Sequence, residues 1–593
     1  MALSSPVLSL AFAFVSLGGS PATTTATTSP GGWAAALIRS ADQPAVHTTT
    51  LLPHILLLLS LGTCICAVVI RWTQRHEHTR ARSFNAVLAP LVSDSSVAGL
   101  GIVRRIARTF HQGHFVNSVN LQQWTADHGP IFNIRMMYQN RIFTTEPSHI
   151  KASAPLCACV VGVRLTMMLQ SMLTTNFTSF EKGDEFKSQF RSLMGDGIFN
   201  TDGAMWKFHR TISRQYFSKD RILNFRQDYL YNADRAIALL ADSVKAGEAV
   251  DIQDLAARYT LDCTSEFLFG RSVQSLSASP SCASSSFLHS FAAAQFEAAD
   301  LSRYGPFWRV ANLILGDKVQ KHMGVVKQFV DPLIEESLSG DRTGAPEDVR
   351  LTLLDFLTQR TKDVDIIRDE VVNMLIGGRD AITLLLTSTI YALADNPPVL
   401  QRLQDEVFSA FGTDGVPTLQ DLRSLKYIRA VLNESLRLWP VIPVNSRKST
   451  KDAFWPGLEP EDEPYYIPAG TRCSFSTFIL HRRPDLWGPD ADVYDPDRFL
   501  DERYQKYVAP NPYIFLPFSA GPRICMGSQV AYDEAGFFLV RLLQRFQGGI
   551  SLALDCQPAE SVMPPSSREK VRFTSHMSMH CQGGLWVRLD SEP

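Results

Sequence analysis

Phe518-Ser519-Ala520-Gly521-Pro522-Arg523-Ile524-Cys525-Met526-Gly527 leads straight into an apolar run, Ser528 to Phe546, whose pattern predicts a helix. Cys525 therefore stands just ahead of a helix N-terminus. There the dipole and free backbone N–H groups stabilise a thiolate, which suits an anionic axial ligand pushing electron density onto iron. Gly521 and Gly527 permit a tight turn and close approach of the backbone to a flat macrocycle. Arg523 can neutralise a propionate, and Phe518 can pack beside the sulfur and keep water away. Five specified positions in the form F-x-x-G-x-R-x-C-x-G arise by chance in about one chain in ten thousand of this length.

This segment resembles the cysteine loop of the cytochrome P-450 superfamily, and the resemblance extends from about residue 129 to the C-terminus. It implies a mainly α fold with small β-sheets, one large haem domain, and haem b (iron protoporphyrin IX) with Cys525 as the axial thiolate. Other elements follow in the order that family has. Glu434-Ser-Leu-Arg437 is an E-x-x-R with both charges on one helical face, and Asp495-Pro-Asp-Arg498-Phe499 is similar to the motif whose Arg completes an ion-pair network. Trp206-Lys-Phe-His-Arg210 matches W-x-x-x-R, in which Trp and Arg hydrogen-bond a haem propionate; Arg447 is placed to be another propionate partner.

Gly377-Gly378-Arg379-Asp380-Ala381-Ile382-Thr383 looks like the family's A-G-x-D-T segment. The resemblance implies that Gly378 makes room for dioxygen and that Asp380, with a neighbouring alcohol, relays protons. Here Ala381 stands where the alcohol is expected. Thr383, the next hydroxyl, is about 200° round the helix, so it is a candidate without being a direct replacement; an ordered water is the alternative.

Within the superfamily, the run from His481 to Phe546 resembles the fungal microsomal branch of alkane and fatty-acid hydroxylases. That implies a monooxygenase inserting one atom of O2 into C–H bonds of a long apolar substrate or a xenobiotic. Met374, Leu375 and Ala381 are expected to form an apolar wall over the iron. Neither G-x-G-x-x-G nor G-x-x-x-x-G-K-[ST] occurs, so electrons are expected from a separate NADPH-dependent cytochrome P-450 reductase in the same membrane. Ala381 leaves two other readings open: a haem-binding member without efficient turnover, and a peroxide-driven or isomerase variant.

Leu51 to Ile70 is an almost uncharged apolar run that, as a helix, extends roughly 30 Å, the thickness of a bilayer core. Arg71, Arg75, Arg80 and Arg82 follow, which predicts a single-pass anchor in the endoplasmic reticulum with the catalytic domain in the cytosol. Residues 1–50 form an extension whose apolar stretch, Val7 to Leu17, is a signal segment or a second membrane contact. Residues 71–128 are expected as a basic linker leading into a catalytic domain over 129–593. Within it, Ser153 to Leu173 looks like an insertion relative to the family: a membrane-contacting or pocket-lining element, or a sequence artefact.

With 593 residues, 20% charged and 45% hydrophobic, and a net charge of -2, the composition excludes a disordered or nucleic-acid-seeking chain. Ten cysteines lack a disulfide framework, and the close pairs Cys64/Cys66 and Cys157/Cys159 sit in apolar runs without a nearby His, as in a reducing compartment. The expected secondary structure is a hairpin over 129–152 turning at Gln139-Asn140, a long helix from Asp369 to Asp395, and a helix from Leu422 to Leu438. Strand-like pieces are expected over Tyr466 to Leu480 and over Gly584 to Leu589.

Overall fold

An apolar helix needs partners on every side, and the 32-residue helix at the centre of this chain has them. In the computed structural model five helices carry the candidate site: α1 (Gly203–Tyr216), α2 (Ile252–Phe269), α3 (Val364–Asp395), α4 (Lys426–Leu438) and α5 (Ser528–Arg545). The structure describes residue 68 and residues 71–92, 94, 96, 99–111, 118–136, 139–150, 172–174, 176–217, 225–277, 283–339 and 351–590. The expected anchor (except Val68), the Val7 to Leu17 stretch, both close cysteine pairs and most of the 153–173 stretch lie outside them. The chain divides after Phe84, and the site belongs to the second unit. Residues 85–128, expected as linker, belong to that second unit: Leu91 bridges Asn133, and Trp124 packs edge-on to Phe132.

Helix α3 starts where the Asp363 side chain accepts from the N–H groups of Asp365 and Ile366, and ends at Asn396 before Pro397-Pro398. It is apolar and long enough to cross a membrane, yet it is mostly buried against α2, α4 and α5. Burial on all faces explains its hydropathy. Gly377-Gly378 does not interrupt it. A Cβ on Gly378 would lie 2.7 Å from Thr264 Cγ2 and Oγ1, so this glycine lets α2 and α3 approach closely. That packing gives Gly378 a structural reason separate from the expected space for dioxygen.

Five short strands form a sheet in the order β1-β2-β5-β4-β3, with β1 Ile131–Asn133, β2 Arg141–Thr144, β3 Phe180–Glu181, β4 Val444–Ser449 and β5 Arg472–Ser476. β1 and β2 form the expected hairpin, with Ile131 opposite Thr144; β2 and β5 run parallel and the other pairs antiparallel. This sheet joins segments 300 residues apart in sequence, carrying β3 and Arg447 of β4 to one side of the site.

Local geometry corrects three boundaries. The helix expected from Leu422 breaks at Leu425, whose extended backbone separates a short turn, Leu419–Ser424, from α4. Thr477–Leu480 is helical rather than strand, because the Ser476 side chain caps it by accepting from Ile479 N–H. The C-terminal strand, Trp586–Leu589, pairs with Ile550–Leu552 and Val250–Asp251.

Candidate functional site

The Cys525 loop is held by its own backbone. Ser519 and Gly521 have φ of 62° and 69°, and a Cβ on Gly521 would lie 1.8 Å from the Leu173 carbonyl oxygen. Leu173 and Met172 are core residues, so the stretch read as an insertion packs at its C-terminal end against this loop. The Cys525 N–H donates to the Phe518 carbonyl at 2.9 Å, and the Phe518 ring meets Tyr532 edge-on at 5.3 Å. Gly527 has an ordinary φ of -89°, so no turn requires a glycine there; its missing side chain leaves the space beside the sulfur open, a Cβ falling 4.0 Å from Cys525 Sγ. Cys525 is exposed, yet burial pushes its thiol up, opposed by the Gly527 N–H and by Arg210. The sulfur is thus accessible in surroundings that disfavour its charged form.

A cationic cluster lies nearby. Arg523 donates to Asp202 Oδ1 at 2.6 Å and to the Thr201 carbonyl at 2.9 Å, and its guanidinium lies 4.7 Å from the centre of the Trp206 ring. Burial lowers Arg523, lowers Arg447 to about 9 and lowers Lys182 well below its usual value, and these three cations repel one another while Asp202 favours them. Arg447, Arg523, Lys182, Lys187 and Arg210 gather about Asp202 and Glu181, so cations outnumber carboxylates, and the buried Nε atoms of Arg447 and Arg523 have no protein acceptor. Such a cluster calls for anions. The two propionates of haem b match it in sign, and the accessible thiol supplies the axial donor, so the residues present fit that group. Lys182, which follows β3 and sits 4.4 Å from the Phe186 ring centre, belongs to no motif. Only its position beside β4 and Asp202 reveals it.

Glu434, Arg437 and Arg498 are fully buried and joined. Arg437 grips both Glu434 oxygens at 2.7 Å and donates to the carbonyls of His481, Ala491 and Val493; Arg498 Nε donates to Glu434 Oε1 at 3.1 Å. His481 carries this network to the cysteine loop. Its Nε2 accepts from the Leu516 N–H at 2.9 Å, which puts the proton on Nδ1, where it donates to the Arg437 carbonyl at 3.1 Å. Burial and the Arg437 charge lower this imidazole to about 3. A neutral folded His facing an unfolded value near 6.5 contributes stability above pH ~6.5 that is lost as pH falls. Relative to His481→Gln, which keeps one donor and one acceptor without titrating, the protein is expected to lose about 1.4 kcal/mol per pH unit between pH ~6.5 and ~5. Urea unfolding of both proteins over that range checks this; parallel pH profiles would show that His481 does not titrate on unfolding.

On α3 the residues flanking 377–381 are buried while Gly377 is exposed, so the middle of this core helix faces open space. Phe199, 37% exposed, lies beside Gly377, 3.2 Å from where a Cβ would be. Ala381 is partly accessible, while Leu375 and Met374 are buried. Asp380 is raised by burial, against Arg379, whose Nη1 lies 2.7 Å away, and a hydrogen bond from Gln295. Thr383 is turned away from this carboxylate: its hydroxyl donates to the Arg379 carbonyl at 2.8 Å and pairs with Thr260 Oγ1 at 2.9 Å. It cannot stand in for the missing alcohol, because two residues along a helix point to nearly opposite sides.

Comparison with known proteins agrees with this site. The model of the cytochrome P-450 family matches residues 159–569. The chain is 31% identical over 486 residues to cytochrome P-450 monooxygenase himC of Aspergillus japonicus, covering 80% of this chain and 81% of that one. It is 30% identical over 478 residues to cytochrome P-450 52A5 of Candida maltosa, covering 78% and 82%. The crystal structure of a cytochrome P-450DA haem domain shares the fold, with a TM-score of 0.65 at 20% identity over 86% of this chain and 98% of that one. With an accessible thiol, a buried cationic cluster suited to carboxylates, and this breadth of matching, the chain belongs to the cytochrome P-450 family of haem-thiolate monooxygenases, whose cofactor is haem b.

Proposed function

We propose that this enzyme hydroxylates long apolar chains, alkanes or fatty acids, with xenobiotics as the wider class, using electrons from a separate NADPH-dependent cytochrome P-450 reductase. The uncompensated cationic cluster beside an accessible Cys525 carries the cofactor assignment. The resemblance of residues 481–546 to the fungal alkane and fatty-acid branch, and the 52A5 relative, carry the substrate class.

In this reading Cys525 holds the iron, and the Gly527 N–H and Arg210 stabilise its thiolate. Arg447, Arg523 and Lys182 bind the propionates, with Trp206 packed against Arg523 and Arg210 beside the sulfur. Bound haem supplies dioxygen activation and oxygen insertion. The protein orients the chain: Phe199, Gly377 and Ala381 give the cavity an apolar surface, and Asp380 is the acid that supplies protons. Each turnover takes two electrons and two protons, placing one oxygen atom in a C–H bond and releasing the other as water.

The membrane setting rests on the apolar run 51–70 with its basic flank and on the helix Trp308–Leu315. That helix buries none of its residues and exposes Leu313 by 85% and Ile314 by 75%, as a face resting on lipid does. Reconstitution with NADPH and reductase in phospholipid, offering dodecane and lauric acid, tests the substrate class. Hydroxylated chains are the expected products. NADPH oxidation without any hydroxylated chain, in a protein showing a full carbonyl band, would overturn it.

A further inference from the structure

Gly195-Asp-Gly-Ile-Phe199 lies between the helix Asp184–Met194 and α1, and three side chains of α3 hold its backbone. The Asp196 N–H donates to Asp369 Oδ2 at 2.7 Å, the Ile198 N–H to Glu370 Oε2 at 3.0 Å and the Phe199 N–H to Asn373 Oδ1 at 2.9 Å. Asn373 Nδ2 donates in turn to the Met194 carbonyl at 2.8 Å. Gly195 has φ of 54°, and a Cβ on Gly197 would run into Asn373 Nδ2, so both glycines serve this close approach. Glu370 and Gly377 are two helical turns apart and share a face of α3, which is why the same loop brings Phe199 beside Gly377.

His209 of α1 closes the arrangement, and both it and Glu370 are buried. Its Nε2 lies 2.8 Å from the Asp196 carbonyl oxygen and its Nδ1 2.9 Å from Glu370 Oε2; Glu370 Oε1 accepts from the Ser213 hydroxyl at 2.8 Å. A carbonyl only accepts, so Nε2 carries a proton. The Glu370 carboxylate already accepts from an amide and a hydroxyl, so Nδ1 carries one too and the ring is an imidazolium. Burial lowers this imidazole, but Glu370, the Asp196 carbonyl and Asp369 outweigh it and hold it above its ordinary value. The Asp196 carboxylate is exposed and lies 3.7 Å from Arg191.

We propose that His209 and Glu370 are positioning residues of this active site: their buried ion pair clasps the 195–199 loop by the Asp196 carbonyl and the Ile198 amide, and so fixes Phe199 against the Gly377 turn of α3. This rests on the reading of residues 377–383 as the segment that faces dioxygen. A neutral ring has a single N–H, so loss of the proton leaves either the carbonyl or the carboxylate facing a bare nitrogen. The clasp is therefore complete below pH ~6.5 and loosens as pH rises through the raised value of His209 in the folded protein.

The test follows two signals against pH in the full-length protein: the infrared C–O stretch of the reduced carbonyl complex, and the hydrogen-exchange protection of the 196–199 amides, corrected for intrinsic exchange. In wild type both are expected to change along one titration curve as pH rises. Glu370→Gln keeps the shape and an acceptor for the Ile198 N–H but removes the charge, and should move that curve to lower pH. His209→Gln should abolish the curve and leave the 196–199 amides about tenfold less protected. Ala381→Val is the control, expected to move the stretch without touching the protection. A wild-type curve retained in Glu370→Gln, or signals that ignore pH in wild type, would overturn the proposal. So would protection that titrates while the stretch stays still, provided Ala381→Val moves the stretch. A stretch unmoved by Ala381→Val instead sinks the reading of residues 377–383, and the amide exchange, which needs no haem signal, then decides the clasp by itself.

Discussion

Glu434→Ala is expected to abolish the folded haem protein. The substitution leaves the guanidinium groups of Arg437 and Arg498, both fully buried, without their shared carboxylate. Removing one member of a buried charge pair costs about 3–5 kcal/mol, and here two cations lose one anion; a domain has only about 5–15 kcal/mol in total. Arg437 also ties together the carbonyls of His481, Ala491 and Val493, and Asp495 N–H donates to Glu434, so the loss spreads through the segment that precedes the cysteine loop. Arg437→Lys should fail nearly as badly, because an ammonium cannot grip both oxygens and reach three carbonyls. The soluble yield and the carbonyl spectrum of the reduced protein are the measurements. A Glu434→Ala protein with a wild-type Tm and a full band would show that water or local rearrangement satisfies both arginines.

Cys525→Ala is expected to remove the strongly red-shifted carbonyl band while leaving the polypeptide folded. The sulfur is exposed, so its loss creates no packing defect, and the Cys525 N–H bond to Phe518 is backbone and survives. The apoprotein should lose less than about 1 kcal/mol. Cys556→Ala is the control: that thiol is also exposed, but it lies beside Asp555 and Arg588 and should keep the whole band. A band that survives Cys525→Ala would move the axial ligand elsewhere and dismantle the assigned site.

Much of this was legible before any coordinates. The cysteine motif names its own chemistry because a thiolate at a helix start, flanked by glycines and an arginine, is a local arrangement that a short stretch of chain can specify. The long helix α3 and its end at Asn396 were readable from apolar run and proline, while the Asp363 cap set its start at Val364, five residues before the expected Asp369. The break at Leu425 and the helical turn over Thr477–Leu480 escaped, since each depends on one dihedral or one side-chain cap that tertiary packing selects.

The site divides along the same line. The E-x-x-R pair and Arg498 are recognisable as sequence, but that they share one carboxylate needs a segment 64 residues from Glu434 to meet it, and that His481 hands their position on to Leu516 needs two further distant segments. Lys182 and Phe199 carry no signal at all, because an isolated basic or aromatic residue is ordinary on any surface. The sequence by itself determined the family, the cysteine and the absent alcohol at Ala381, which are properties of short runs of covalently joined residues. Tertiary structure alone decided which charges go uncompensated and that Thr383 faces Thr260, because those depend on which distant surfaces the buried helices bring into contact.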